Sequence, residues 1–136
     1  MSELAPKIKV IFYVTGSELN PKEFAEEIGI ENFEIGIKGE PRQNGRSRNI
    51  ESYWQISLEM ESYSVDDSLL KLFNYLESAL CVDSMLKILD KHKVEVSFIC
   101  NVTIREERPL YQLERQTVKK ISNLGGEFLM DIFDYS

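Results

Sequence analysis

The chain contains few residues whose chemistry could support catalysis, and they are far apart in the sequence. His92 is the only histidine and lies between Lys91 and Lys93 in a polar segment. A general base must lie within reach of the proton that it removes, and a tetrahedral zinc site needs several ligands. No such cluster is evident. His92 is therefore predicted to lie near the C-terminal end of a helix, where the helix dipole favours a positive charge.

The two cysteines, Cys81 and Cys100, are predicted to be free thiols packed in the core. Cys81 lies between Leu80 and Val82, and Cys100 lies on the apolar face of a predicted strand. A nucleophilic thiol needs an electropositive and partly exposed setting, whereas an unreactive free cysteine is usually buried. Spacing alone leaves a disulfide between the two cysteines open.

The chain lacks the sequence motifs of common nucleotide and hydrolase sites. It contains no G-x-G-x-x-G, no Walker loop and no G-x-S-x-G elbow. Gly125 and Gly126 follow a predicted helix, so they end that helix and do not open a phosphate-binding one. We therefore predict a protein without catalytic activity, with no cofactor and no metal site.

A basic loop provides the first candidate binding site. Arginines on a loop can hold a carboxylate, a phosphate or an acidic patch on a partner, and arginine and tryptophan are common in interface hot spots. The alternative is a solvated loop beside a tryptophan that belongs to the core. The candidate binding residues are Lys38, Arg42, Arg46, Arg48, Tyr53 and Trp54.

Four carboxylates around a predicted strand-to-helix turn form the second candidate site. Paired carboxylates perform acid–base catalysis only when their environments separate their pKa values, and these residues lie on a polar face. They serve solvation and helix capping, or they form an acidic docking patch for a cationic partner. The patch consists of Glu59, Glu61, Asp66 and Asp67.

The overall charge favours the same kind of partner. The chain has 136 residues and a formal net charge of −7. A negative charge of this size repels the phosphates of nucleic acid. It serves solubility alone, or it attracts a basic protein partner by electrostatic steering. The N-terminal segment lacks a signal-peptide core, and no apolar run is long enough to cross a bilayer. We therefore expect a cytoplasmic protein with no nucleic-acid or membrane partner, in which residues 1–136 form a single domain.

Hydrophobic patterns predict the elements that position these residues. Apolar alternation predicts strands over 33–38, 51–63, 94–102 and 127–135, and a strand over 8–14 is apolar on both faces. Asn20, Pro21 and Gly29 predict a capped helix over 21–28. Helical spacing covers 65–89, as one helix or as two with a break near Cys81, and recurs over 110–124. Residues 39–49 are predicted to form a loop.

The resulting order, β-α-β-β-α-β-α-β, predicts an α+β fold. We expect one mixed, mostly antiparallel sheet with helices packed mainly on one face. A ferredoxin-like β-α-β-β-α-β core extended by a helix and a strand fits this order. The strand over 8–14 is expected at the centre of the sheet, buried on both faces. The doubly apolar last strand and the polar face of the strand over 51–63 are candidate homodimer surfaces.

Several segments occur in an order that resembles a known family. They are Thr15-Gly16-Ser17, the segments 19–23, 28–30 and 38–40, the arginine-bearing loop, the strand carrying Trp54, and Leu124-Gly125-Gly126 followed by a strand with Asp131 and Tyr135. The chain resembles the bacterial family called domain of unknown function 4279 over nearly its whole length. This family has no assigned reaction. The resemblance implies an immunity role, because some members look like neighbours of secreted bacterial toxins.

We therefore expect a non-catalytic protein-binding module, of the kind represented by an immunity protein that occludes a basic toxin. The alternative is a small-molecule or anion-binding regulatory domain that uses the loop from Arg42 to Arg48. An enzyme is the least expected of the three classes, because no reactive cluster is evident in the sequence.

Overall fold

The computed structural model describes residues 4–42 and 48–136, and its elements follow the predicted order. The strands are β1 (Lys7–Gly16), β2 (Glu34–Gly36), β3 (Ser52–Glu61), β4 (Glu95–Ile104) and β5 (Gly126–Asp134). The helices are α1 (Pro21–Ile28), α2 (Val65–Ala79), α3 (Val82–His92) and α4 (Arg115–Asn123).

The strands form one mixed sheet in the order β2-β3-β1-β4-β5. β1 pairs antiparallel with both β3 and β4, and β2 pairs antiparallel with β3. β5 is parallel to β4, so the chain must cross over between them, and α4 forms part of that crossover. The α+β class is therefore confirmed, with a ferredoxin-like arrangement of four strands extended by α4 and β5.

The core lies between one face of the sheet and the layer of helices. Alternate residues of β1 face the helices and are fully buried, namely Ile8, Val10, Phe12 and Val14. The Phe12 ring stacks on Phe98 at 5.2 Å between centroids and meets Trp54 edge-on at 6.0 Å. Phe24 from α1 and Phe73 from α2 extend this cluster to Trp54 and Phe98 at 5.2 and 4.8 Å. Each such pair contributes about 1 kcal/mol beyond the burial of its surface.

The predicted helix boundaries are confirmed where side chains or glycine set them locally. Asn20 accepts a hydrogen bond from the Glu23 backbone N–H, and Pro21 is the first residue of α1. Gly29 ends α1 in the left-handed conformation at φ 69°, which glycine adopts at little cost. Ser64 caps α2 by accepting a hydrogen bond from the Asp67 N–H.

One predicted helical segment differs from the structure, and for another the structure decides between two alternatives. The segment over 65–89 forms two helices with the break at Leu80 and Cys81, which are both extended, so the prediction of two helices is confirmed. The helix predicted from residue 110 begins at Arg115, because Leu110 pairs with a different segment. The Leu110 N–H donates to the Tyr63 carbonyl and the Leu110 carbonyl accepts from Val65, which leaves the Leu110 side chain 66% exposed.

The strand predicted over 33–38 is shorter in the structure. β2 has three residues because a turn takes the chain away from β3 immediately afterwards. The Ile37 carbonyl accepts hydrogen bonds from the Glu40 N–H and the Asn49 side chain. A short edge strand of this kind offers little backbone for pairing with another chain.

The helices pack as one layer that completes the core. All four contribute buried side chains to the same cluster, including Phe24, Leu72, Met85 and Ile121. α1 contacts α3, and α2 contacts α4. Within the described residues, no helix combines the length and the apolar character needed to cross a bilayer.

Candidate functional site on the open face of the sheet

The face of the sheet that points away from the helices is the main functional candidate. We call it the open face, because no helix or strand among residues 4–42 and 48–136 packs on it. The predicted central position of β1 is confirmed, and the predicted burial on both faces holds on this side for Ile11, whereas Lys9 and Tyr13 are half-buried. The open face of the sheet comprises the odd-numbered residues of β1, β3, β4 and β5, together with Glu34 and Gly36 of β2.

An apolar row crosses the middle of the open face. Ile11 is in register with Ser57 of β3 and with Ile99 of β4, and Ile99 is in register with Leu129 of β5. Ile11 is only 8% exposed, whereas Leu129 at the edge of the sheet is 50% exposed. Phe133, further along β5, adds a ring that is 45% exposed. Apolar side chains on an uncovered face are typical of an interaction surface.

A tyrosine pair lies beside this row. The rings of Tyr13 and Tyr53 stack with centroids 5.5 Å apart. The Tyr53 ring also lies over Gly36, where an added Cβ would be 2.1 Å from Cε1 of the ring. Burial, followed by the charge of Glu34, raises the pKa of Tyr53, while the charge of Arg42 acts in the opposite direction. The Tyr53 ring therefore occupies space that is available only because residue 36 has no side chain.

Acidic side chains surround the apolar row. The acids of the open face are Glu34, Glu59, Glu61, Glu95, Glu127 and Asp131, and its lysines are Lys7 and Lys9. Glu34 accepts a hydrogen bond of 2.7 Å from the Gln55 side chain, and Glu61 forms an ion pair of 3.1 Å with Arg105. The described part of this face therefore combines apolar and aromatic groups with an excess of negative charge.

The predicted acidic patch does not form one surface. Glu59 and Glu61 lie on the open face and are exposed. Asp66 is 5% exposed, and its carboxylate accepts a hydrogen bond of 2.9 Å from the Glu114 N–H just before α4. Asp67 is exposed in the first turn of α2, where its negative charge interacts favourably with the positive end of the helix dipole. Asp66 is therefore placed to fix α2 against the start of α4, with its side chain turned away from solvent.

The candidate basic residues are also divided by the fold. Lys38, Arg42 and Arg48 are exposed, and the Arg48 guanidinium donates a 2.7 Å hydrogen bond to the Gly39 carbonyl. Arg46 lies outside the described residues. Tyr53 is on the open face, half-buried and close enough to Arg42 to respond to its charge.

Trp54 lies on the opposite face of β3 from Tyr53. It is fully buried against Phe12 and Phe24, so its ring is part of the core and not of a surface. Its indole N–H has no hydrogen-bond partner among residues 4–42 and 48–136. Of the two neighbours singled out in the sequence, Tyr53 alone faces solvent.

His92 lies in a cluster between α1 and α3. It is 7% exposed at the end of α3, and its Nε2 donates to the Glu27 carboxylate over 3.1 Å. Its ring meets Phe24 edge-on at 5.4 Å. The Lys91 ammonium forms ion pairs with Glu27 and, at 3.4 Å, with Glu23. Hydrogen bonds from Lys91 and then His92 lower the pKa of Glu27.

Among the described residues, this cluster is the one group whose potential ligand atoms lie close enough together to bind a metal ion. Glu23, Glu27 and His92 each offer a ligand atom, and these atoms lie within 4.8 Å of one another. Two carboxylates one helical turn apart with a histidine would suit a divalent cation. However, the Lys91 ammonium already contacts both carboxylates and supplies the positive charge that they need. The arrangement is therefore explained as an ion-pair cluster that holds α1 against α3.

The cysteines differ from each other in a way that the sequence did not reveal. Cys100 is fully buried as predicted, and burial raises its pKa to about 12. The prediction that Cys81 is buried is wrong, because it lies exposed at the start of α3. Its thiol lies 3.1 Å from the Ser84 hydroxyl, and the hydrogen bonds of Ser84 lower the pKa of Cys81. Both thiols are free.

The residues that sequence reasoning missed are those of the open face outside β3. Tyr13, Ile11 and Ile99 were assigned to strands but not to a surface, because both faces of β1 are apolar. Alternate residues of a strand lie on the same face, so the odd-numbered residues could have been grouped once the register between the strands was known. The register of the strands places these groups together on one side of the sheet.

Replacing Gly36 with alanine tests the tyrosine arrangement. In the wild type, Gly36→Ala should destabilise the fold by about 1–3 kcal/mol, because the new methyl overlaps the Tyr53 ring. In a Tyr53→Ser background the same change should stabilise the strand by roughly 0.5–1 kcal/mol, because alanine loses less backbone entropy than glycine. Urea unfolding of the four proteins measures the coupling. An equal effect of Gly36→Ala in both backgrounds would contradict the observed contact.

The Glu27 cluster predicts an acid-sensitive part of the stability. The pKa of Glu27 is lowered in the folded state, so its contribution to stability is present above the ordinary glutamate pKa of 4.5 and is lost as the pH falls through the lowered pKa. Glu27→Gln should therefore reduce the free energy of unfolding at pH 7 and make it less dependent on pH between 5 and 3. Denaturant titrations at several pH values measure this change. Glu26→Gln, an exposed neighbour in α1, is the matched control and should retain the wild-type slope.

Comparison with known proteins adds the family. No curated protein sequence and no solved structure matches the chain. A family model described as a domain of unknown function, DUF4279, matches residues 6–135. This match confirms the resemblance predicted from the ordered segments. Since it covers nearly the whole length, the chain belongs to the DUF4279 family.

Proposed function

We propose that this protein is a non-catalytic binding module whose open face binds a basic protein partner. The observation that carries the proposal is the apolar row of Ile11, Ile99 and Leu129 on a sheet face that no described element covers. Acidic residues lie on both sides of this row. Protein interfaces commonly combine an apolar centre with a polar rim, and aromatic side chains supply much of their binding energy.

The charge of the surface indicates the chemistry of the partner. Glu95 and Glu127 lie on one side of the apolar row, and Glu59 and Asp131 lie on the other. A partner with lysine or arginine around an apolar centre would meet complementary charge at these positions. Complementary charge accelerates encounter and discriminates between partners more than it increases affinity. The net charge of −7 acts in the same direction at longer range.

An immunity role is the specific form of this proposal. A protein that neutralises a basic toxin needs a surface that covers the toxin, and the apolar row and acidic residues of the open face support such a role. The family resemblance supports this role through the toxin neighbours that it implies. We place the protein in the cytoplasm, where its two free thiols would persist in a reducing environment.

Co-expression with the products of the adjacent genes tests the proposal. A partner should co-elute with the wild-type protein in size-exclusion chromatography at low salt. The double variant Glu59→Lys/Asp131→Lys should weaken that complex at least about tenfold, because it reverses two charges beside the apolar row. Raising the salt concentration should also weaken the wild-type complex, since it screens exposed charges.

The control for this experiment makes the same change of charge on the helix layer. Glu26→Lys/Asp90→Lys alters two exposed acids on α1 and α3 and should leave co-elution unchanged. Circular dichroism checks that both double variants fold. If no adjacent product co-elutes, or if the open-face variant co-elutes as the wild type does, binding through this face is wrong.

A second candidate function is anion binding beside Tyr53. It is favoured by two exposed cations in the connection between β2 and β3, namely Arg42, whose charge acts on the pKa of Tyr53, and Lys38. An arginine beside an aromatic ring can hold a carboxylate or phosphate by charge-assisted hydrogen bonds.

Thermal unfolding with inorganic phosphate and citrate tests this candidate. Specific binding should raise the Tm of the wild type in proportion to occupancy, and Arg42→Gln should abolish the increase. Lys22→Gln removes an exposed charge from α1 and should retain the increase. An equal increase in both variants would show a general salt effect and would contradict a site at Arg42.

A further inference from the structure

The two edges of the sheet are protected to very different degrees. β2 forms one edge and has three residues, whereas β5 forms the other and has nine. β5 pairs with β4 on one side, and no described strand pairs with its outer side. A long unpaired edge is a template for pairing with another chain unless something covers it.

The helix-side face of β5 carries a groove at one end and an exposed apolar side chain at the other. The groove has a volume of about 280 Å³ and lies between α4 and the start of β5, where Val118 and Phe128 contribute to its lining. Val118 is 50% exposed. Near the end of β5, Ile132 lies on the same face and is 47% exposed.

These two features become complementary when two copies meet. A two-fold axis perpendicular to the sheet would pair two β5 strands in antiparallel orientation, so the start of each strand would meet the end of the other. With Met130 opposite Met130, Ile132 of each copy lies opposite Phe128 of the other, beside the groove. Nine paired residues would form about nine backbone hydrogen bonds, which is close to the number in a typical stable interface.

Among the registers that keep each face aligned and pair at least seven residues of β5, the charges on the strand select this one. With Met130 at the axis, Glu127 lies opposite Phe133 and Asp131 lies opposite Leu129, so no acid faces another acid. Moving the axis to residue 129 would place Glu127 opposite Asp131, and moving it to residue 131 would place Asp131 opposite itself. Like charges directly opposite each other destabilise a strand pair.

We propose that two copies of this chain pair through β5 in this register to form a continuous ten-stranded sheet. The interface lies at the edge of the sheet, so both open faces remain accessible and lie side by side. The proposal does not need the open face to bind a partner, although its register is set by charged and apolar residues of β5 that lie on that face.

Cysteine cross-linking tests both the partner and the register. In a Cys81→Ser background, Met130→Cys would place two thiols directly opposite each other at the axis. Mild oxidation should convert most of this variant into a covalent dimer on a non-reducing gel. Cys100 is fully buried and does not need to be replaced.

The matched control is Ile132→Cys in the same background. It lies on the same strand and face, but its two copies would be about 14 Å apart along the paired strands, which is too far for a disulfide. It should cross-link at least about tenfold more slowly than Met130→Cys, whereas the double variant Phe128→Cys/Ile132→Cys should cross-link efficiently. A cross-link at 132 that is as fast as the one at 130 would overturn the register.

Sedimentation equilibrium without oxidant provides a second measurement. The wild type should show twice the 15.8 kDa mass of one chain. Met130→Lys should show the mass of a single chain, because it places two ammonium groups opposite each other, and circular dichroism checks that it folds. A wild-type protein that remains a monomer at 100 µM would overturn the proposal, and so would a dimer that Met130→Lys leaves intact.

Discussion

The structure depends on the pairing of β1 with two antiparallel neighbours along its whole length. Lys7 to Gly16 is matched residue by residue with β3, and Lys7 to Thr15 with β4. This register buries Phe12 between Trp54 and Phe98, and it simultaneously places Tyr13 on the other face beside Tyr53. A slip of one residue would exchange the two faces and move lysine side chains into the core. The core and the open face are therefore consequences of one alignment.

Much of the fold was predictable because its signals are local. The cap at Asn20, the left-handed glycine at position 29 and the alternation along β4 each depend on a few neighbouring residues. The predictions that were wrong have two different causes. Leu110 has helical spacing but bonds to the distant residues Tyr63 and Val65, which no local pattern reveals. Cys81 has apolar neighbours but lies at the break between α2 and α3, which the helical spacing had left open as one of two alternatives.

The candidate site was harder to predict, because residues that are adjacent in the sequence can point to different surfaces. This happens within a strand and in the first turn of a helix. Tyr53 and Trp54 are adjacent but lie on opposite faces of β3, and Asp66 and Asp67 differ as strongly in burial. The open face instead combines residues from five strands whose order had to be known first. Its acidic character could be anticipated from the net charge, but its apolar row depends on how Ile11, Ile99 and Leu129 align across the sheet.

The position of β5 has a consequence for synthesis. All strands of the ferredoxin-like core lie within residues 7–104, so they emerge from the ribosome before α4 and β5 do. Until then β4 is the edge of the sheet, with its outer hydrogen-bonding groups unpaired and the Phe98 ring without its contact with Gly126 at the start of β5. The nascent core thus presents a ready template on which the last segment of the chain is added, and growth of the sheet follows the direction of translation.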